Sequence, residues 1–295
     1  MRPTRLLGAL VGFSVALLLV ARTTGAGWTL VVVCCVAASV VIGAVWPFIV
    51  LRRLHVGVDA PADAVAGRPA SLTLSLRGAA SPLRLRVSDP PGELVSATAP
   101  AIGEVDVVPP RRGVIDEVTV VCEAAAPLGL VWWRRRWTLA LDRPIEVAPV
   151  AIEEPLAARA LAARPGGEAV RTLREYVPGD AAKLIHWPST ARRGELVVKE
   201  LEEPDRPGLV LRVELGADPE QAEVVAGRAM GAALGALRAG LEVTLLTAEP
   251  TGGRAGSVRS PIEAGRRLAR AVPGTPAEGP VPENAVVVRM GGASP

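Results

Sequence analysis

The sequence predicts a membrane-anchored multidomain protein: two N-terminal transmembrane helices, an antiparallel β-sandwich, then a small α/β domain. Three observations carry this. Two uncharged apolar runs dominate the start of the chain, period-2 alternation broken by turn residues follows, and strand-like and helix-like stretches alternate toward the end. Composition narrows the class further. Of 295 residues 49% are hydrophobic, too apolar for a disordered chain. Lys+Arg 33 against Asp+Glu 30 gives +3, too balanced for a chain whose main partner is nucleic acid. Aromatics are only 3%, so the cores must be built from Val, Leu, Ala and Ile. Cys34, Cys35 and Cys122 show neither CxxC nor Cys/His spacing, so neither a disulfide scaffold nor a structural zinc site is expected.

Residues 1–53 read as a transmembrane hairpin, with helices over about 6–24 and 28–51. Trp28 to Leu51 is long enough to span a hydrocarbon core of about 30 Å. The uncharged run Leu6 to Ala21 reaches only about 24 Å and extends through Thr23 and Thr24 or pairs with the second run. A secretory signal, with Thr24-Gly25-Ala26 as a weak cleavage site, is the rival reading. Arg2, Arg5, Arg52 and Arg53 flank the hairpin, and only Arg22 lies in the connection. The positive-inside rule then puts both outer ends, and the soluble chain, in the cytoplasm at the plasma membrane.

Residues 54–150 alternate, as in Leu72-Thr73-Leu74-Ser75-Leu76 and Leu83-Arg84-Leu85-Arg86-Val87, with turns at Gly67, Gly78 and Pro90-Pro91-Gly92. That pattern predicts the β-sandwich. Within it, Trp132-Trp133-Arg134-Arg135-Arg136-Trp137 places Trp133, Arg135 and Trp137 on one strand face and Trp132, Arg134 and Arg136 on the other. It reads either as an Arg and aromatic patch on anionic lipid headgroups or as an edge strand guarded by charge. Edge protection is a general need of such sheets, so the second reading is preferred.

Residues 151–204 hold the only Tyr, both Lys and one of the two His. In a chain so biased toward Ala, Arg, Gly and Pro, that crowding points to specific chemistry or packing. Val177-Pro178-Gly179-Asp180 predicts a turn in which Gly179 supplies a positive φ and Asp180 accepts backbone N–H bonds. Asp180 with His186 could form an oriented acid/base pair, but no GxSxG elbow accompanies them. The preferred reading is a polar network of Arg174, Asp180 and Arg192 with Trp187 that locks an irregular loop onto the adjoining sheet.

Arg174-x-Tyr176-x-Pro178-Gly179-Asp180, Ile185-His186-Trp187, Thr190-Ala191-Arg192 and Leu196-x-Val198-Lys199-Glu200-x-Glu202 together resemble the signature of domain-of-unknown-function family 58. Lys183 stands where that family usually has Arg. The resemblance implies that Arg174, Tyr176, Gly179, Asp180, His186, Trp187, Arg192, Lys199 and Glu200 form a structural or docking signature. It also implies partners: a MoxR-type AAA+ ATPase and, often, a transglutaminase-like membrane protein.

Residues 205–295 read β-α-β-α-β. Leu209–Leu215 is the first strand; Asp218, Pro219 and Gln221 open a helix that Gly240 closes, and Ser260-Pro261-Ile262-Glu263 opens another. Gly252 to Gly256 reads as a flexible loop, and Arg266, Arg267 and Arg270 as a solvated helix face. The family resemblance implies a von Willebrand A-like domain here, shortened and degenerate. Where a metal-binding Asp-x-Ser-x-Ser would stand, this chain has Glu214-Leu215-Gly216-Ala217-Asp218, without the hydroxyl ligands. The expectation is therefore a membrane-anchored, non-enzymatic adaptor or assembly factor with no cofactor and no metal. A membrane-bound hydrolase using Asp180 and His186, and a metal-dependent adhesion-type module, are the alternatives.

Overall fold

The computed structural model describes residues 2–25, 27–155, 170–201, 208–279 and 285–291, with backbone alone for Thr24, Val170, Arg171, Glu200 and Leu201. The chain divides after Val150 into two units.

The first unit opens with a short strand β1 (Arg2–Pro3), then helix α1 (Arg5–Thr24) and helix α2 (Gly27–Arg53). Gly25, at φ 66°, closes α1 in the left-handed conformation that glycine adopts without strain. Both helices are long and apolar enough to cross a membrane. Phe13, Val31 and Trp28 are more than half exposed, so the pair presents to its surroundings a surface suited to lipid.

Strands β2 (His55–Asp59), β3 (Asp63–Val65), β4 (Ala70–Asp89), β5 (Pro91–Val107), β6 (Gly113–Ala124) and β7 (Val131–Ala148) follow. Hydrogen bonds join them and β1 into one seven-stranded sheet, antiparallel except where β3 meets β7. Among the described residues this unit forms one sheet rather than two separate ones, so the layers of the expected sandwich would have to come from bending of the long strands. Alternation works as predicted, with a switch. In β4 the even residues Leu72, Leu74 and Leu76 point inward, then the irregularity between Leu76 and Ser81 shifts burial to Leu83, Leu85 and Val87. Val107, Val118, Val120, Cys122, Ile145 and Val147 complete the core. Burial pushes the Cys122 thiol up to about 12, so it behaves as a small apolar side chain.

The Trp/Arg run of β7 does more than guard an edge. The Trp133 ring lies 4.9 Å from that of Phe48, and its Nε1 donates to Ala44 O at 2.8 Å. Arg135 Nη1 donates to Leu51 O and Arg52 O at 2.9 and 3.2 Å. These carbonyls end α2 and would otherwise lack partners, so Arg135 caps the helix. Val50, Leu51 and Leu54 enter the sheet core, and Gly43 leaves room for Leu130, which a Cβ there would meet at 2.8 Å. At the other helix, Thr4 N and Oγ1 both donate to Leu130 O, at 3.0 and 2.9 Å. The start of α1 and the end of α2 are thus fastened to one region of the sheet. Between its contacts with β1 and β3 the side of β7 opposite β6 is an open edge among the described residues.

The second unit holds a two-stranded sheet of β8 (Val170–Glu175) and β9 (Val197–Leu201), and a four-stranded sheet. The latter runs β12 (Gly252–Val258), β11 (Glu242–Glu249), β10 (Gly208–Glu214), β13 (Val286–Gly291); β11, β10 and β13 are parallel and β12 is antiparallel. Helix α3 (Trp187–Arg193) lies between β8 and β9, α4 (Pro219–Arg238) follows β10, and α5 (Pro261–Arg270) follows β12. The α4 face of Ala222, Ala226, Ala229, Ala233 and Ala236 packs with Leu209, Leu211 and Leu245. Asp218 caps α4 through Glu220 N. Ser260 caps α5 through Glu263 N, while the Glu263 carboxylate reaches back to Arg259 N at 2.7 Å, the capping box of the sequence reading shifted by one donor.

Gly252 to Gly256 is not a loop. It forms most of β12, paired in register along β11. Glycine belongs there because a Cβ on Gly253 would lie 2.7 Å from Ala277 N, so the chain crosses against bare backbone.

Candidate functional site

The signature segment is built around the β8–β9 pair, with Arg174 opposite Val198 and Leu173 opposite Lys199. Backbone bonds from Tyr176 N to Leu196 O and from His186 N to Val197 O, at 2.9 and 2.8 Å, fold the intervening loop back on the ladder. A turn at Val177–Asp180, a single 3₁₀ turn at Ala182–Leu184 and α3 fill the space between. Gly179 takes φ 116°, as the turn requires.

Arg174 grips Asp180 in a two-pronged pair, Nη1 to Oδ2 at 2.8 Å and Nη2 to Oδ1 at 2.7 Å. Val177 N adds a third bond to Oδ2 at 2.9 Å. The Arg174 guanidinium, and then the Val177 N–H, hold the Asp180 carboxyl below the usual carboxylate range. Arg174 Nη1 also donates to Glu175 O at 3.1 Å. The half of the expected network formed by Arg174 and Asp180 therefore exists.

The other half does not. Arg192 sits exposed on the last turn of α3, its side chain in no hydrogen bond or ion pair among the described residues, and Trp187 is 64% exposed. Position explains both: α3 has only seven residues, none of them buried, and its anchoring falls to His186, Ser189 and Thr190. His186 caps α3, with Nδ1 accepting from Ser189 N at 3.3 Å and lying 2.8 Å from Ser189 Oγ. Thr190 Oγ1 accepts from Val197 N at 3.1 Å. Asp180 and His186 are thus each engaged elsewhere and do not bond to one another. Tyr176 and Lys199 are half-buried; Glu202 and the Glu200 side chain lie outside the described residues.

Side by side with these locked polar groups stand three exposed apolar ones. Val177 is 57% and Leu196 42% exposed, each flanking the Tyr176–Leu196 ladder bond, and Trp187 follows the His186–Val197 bond.

A second cluster escaped the sequence reading. Arg267 is not on a solvated face: its side chain is 12% exposed and its Nε lies 3.1 Å from Glu249 Oε1, itself on a side chain 5% exposed. The pair is close but poorly aligned for a hydrogen bond. Arg267 Nη2 donates to Thr247 Oγ1 and Arg254 O at 3.2 and 3.0 Å, and Arg254 Nη1 to Glu249 Oε2 at 3.3 Å. Burial lowers the Arg267 pKa, against the pull of Glu249. Helical spacing carried the signal, since Ala264, Leu268 and Ala271 place Arg267 on the inward side. At the end of β10 Glu214 pairs with Arg212 at 2.7 Å and Asp218 caps α4. No group of three or more His, Cys, Asp or Glu side chains is placed to hold a metal among the described residues.

Residues 172–256 match the family model described as protein of unknown function DUF58. The DUF58 stretch takes in the Arg174–Asp180 pair, α3, Lys199, Glu200 and the four-stranded sheet as far as β12. No curated protein matches the chain. Among solved structures, it is similar to the superoxide reductase (neelaredoxin) from Ignicoccus hospitalis T24K at 14% identity and a TM-score of 0.17, over 30% of this chain and 82% of that one. A likeness of that size says nothing about chemistry.

Proposed function

We propose that the protein is a non-enzymatic adaptor or assembly factor, anchored in the plasma membrane by both helices, with its soluble units in the cytoplasm. Its signature segment docks a partner, and the family resemblance makes that partner a MoxR-type AAA+ ATPase, with a transglutaminase-like membrane protein as a second component. The observation that carries the reading is the division of labour within the segment. Arg174, Asp180, His186, Ser189 and Thr190 are bonded to the loop itself, while Trp187, Val177 and Leu196 are turned outward. An exposed Trp at the start of a capped helix is the usual material of an interface anchor.

Orientation follows from charge. Arg2, Arg5, Arg52 and Arg53 lie at the two helix ends fastened to the sheet, which the positive-inside rule assigns to the cytoplasm. The sheet body, read as a sandwich closed by its bent strands, is the spacer above the bilayer. The four-stranded unit, read as a degenerate von Willebrand A-like domain, serves as a binding surface, its strand-end carboxylates being taken by Arg212 and the α4 cap.

A crosslinked pull-down of the full chain from its native membrane, with and without ATP, tests this. The expected result is a AAA+ ATPase recovered in a nucleotide-dependent manner, and reduced about tenfold by Trp187→Ala. Absence of such an ATPase under both conditions contradicts the reading.

A further inference from the structure

A depression of about 400 Å³ is lined by Arg2, Arg84, Glu123, Trp132 and Arg134. Cross-strand register explains the grouping. Arg84 on β4 stands opposite Glu123 on β6, Glu123 opposite Arg134 on β7, and Trp132 opposite Arg2 on β1. Three guanidiniums and one carboxylate therefore line one depression, and among the described residues none of the four is in an ion pair of 4.0 Å or less. Arg86 and Arg136, two residues further along β4 and β7, extend the same exposed basic face. Arg84 is stacked over the Trp132 ring at 4.3 Å, which fixes its plane and leaves its N–H edge available. Like charges gathered on one depression, with a single carboxylate among them, are relieved by a bound anion.

Position identifies the anion. Arg2 lies four residues before Leu6, the first apolar residue of α1, and Thr4 is bonded to Leu130 on the approach to β7. Four residues span at most about 14 Å, so the depression opens near the level where α1 enters hydrocarbon, the phosphate layer of a bilayer. A second depression of about 380 Å³ shares Arg84 and Trp132, leaving room for more than a bare phosphate. We infer that Arg2, Arg84 and Arg134, with Trp132 beneath, form a binding site for the headgroup of an anionic phospholipid. The inference rests on the membrane-anchored reading of α1 and α2.

The test uses the full chain reconstituted into nanodiscs of equimolar phosphatidylcholine and phosphatidylglycerol, with retained lipid counted by mass spectrometry after delipidation. Wild type is expected to retain phosphatidylglycerol over phosphatidylcholine by about tenfold, and Arg84→Gln/Arg134→Gln to lose most of that preference. Glu123→Gln, which removes the lone negative charge, should raise the preference, a gain that misfolding cannot produce. Inorganic phosphate at millimolar concentration should leave retention unchanged; displacement would mean a site for a free phosphate and overturn the lipid assignment. Equal retention of both lipids by wild type, or an unaltered preference in the double variant, would also overturn it. Incorporation into the nanodisc is read separately by co-elution: failure to incorporate removes the anchored reading as well, whereas incorporation without preference removes only this site.

Discussion

Asp180 accepts three bonds from Arg174 and Val177, and its carboxyl is held below the ordinary carboxylate range. A depressed pKa means that the folded segment gains stability above the unfolded value of about 3.9 and loses it as pH falls through the lower folded value. Protection of the Val177 amide against hydrogen exchange should therefore be high at neutral pH and decline only under strong acid. Asp180→Asn should show the low protection already at neutral pH, and the two proteins should converge in acid. A carboxyl resonance for Asp180 titrating at or above 3.9 would contradict the pairing. The Glu249–Arg267 contact makes a second prediction at this scale. Arg267→Met leaves buried Glu249 with only the half-exposed Arg254 as a cation and should cost about 1–3 kcal/mol in denaturant melts. Adding Glu249→Leu should recover part of that loss, because two apolar groups leave no uncompensated charge.

Among the elements, α2 and β7 are joined by side chains as well as by packing. Trp133→Phe keeps the ring against Phe48 and deletes the bond to Ala44 O, so about 1 kcal/mol of stability should go. Gly231 on α4 faces Ile152 O directly, leaving no space for a Cβ. Gly231→Ala should lower stability by about 1–3 kcal/mol through displacement of the 151–154 stretch, whose Ile152 N bonds to Gly227 O. Thermal melts of the detergent-solubilised chain check both. At this scale much was legible beforehand. Both apolar helices, the inward alternation of β4 and the caps at Asp218 and Ser260 followed from residue type and spacing. What stayed hidden depends on partners distant in sequence. Nothing local in Gly252 to Gly256 signals a strand, because its pairing comes from β11; nothing local in Arg135 shows that it caps a helix some eighty residues earlier. Within the candidate site, the turn at Gly179 and the Arg174–Asp180 pair are legible in the sequence, but Arg192 and Trp187 stand apart from that pair because a short helix anchors itself by its own cap residues.

The whole molecule comprises an apolar helix pair, a sheet body fastened to both of its outer ends and a segment matching DUF58 with an outward Trp. Each part has a physical reason to be where it is: exposed apolar helices suit lipid, the carbonyls that end α2 take Arg135, and the His186 cap opens α3 with Trp187 in solvent. The central claim is that this Trp-bearing surface is a docking site on a membrane-held protein. It is tested most directly by placing a photo-crosslinking residue at position 187 of the full chain, irradiating intact native membranes with and without ATP, and identifying the adduct by mass spectrometry. The account predicts a AAA+ ATPase adduct whose yield depends on nucleotide, carried by a chain that remains in the membrane fraction. A chain that remains in the membrane yet gives no ATPase adduct in either condition would contradict it.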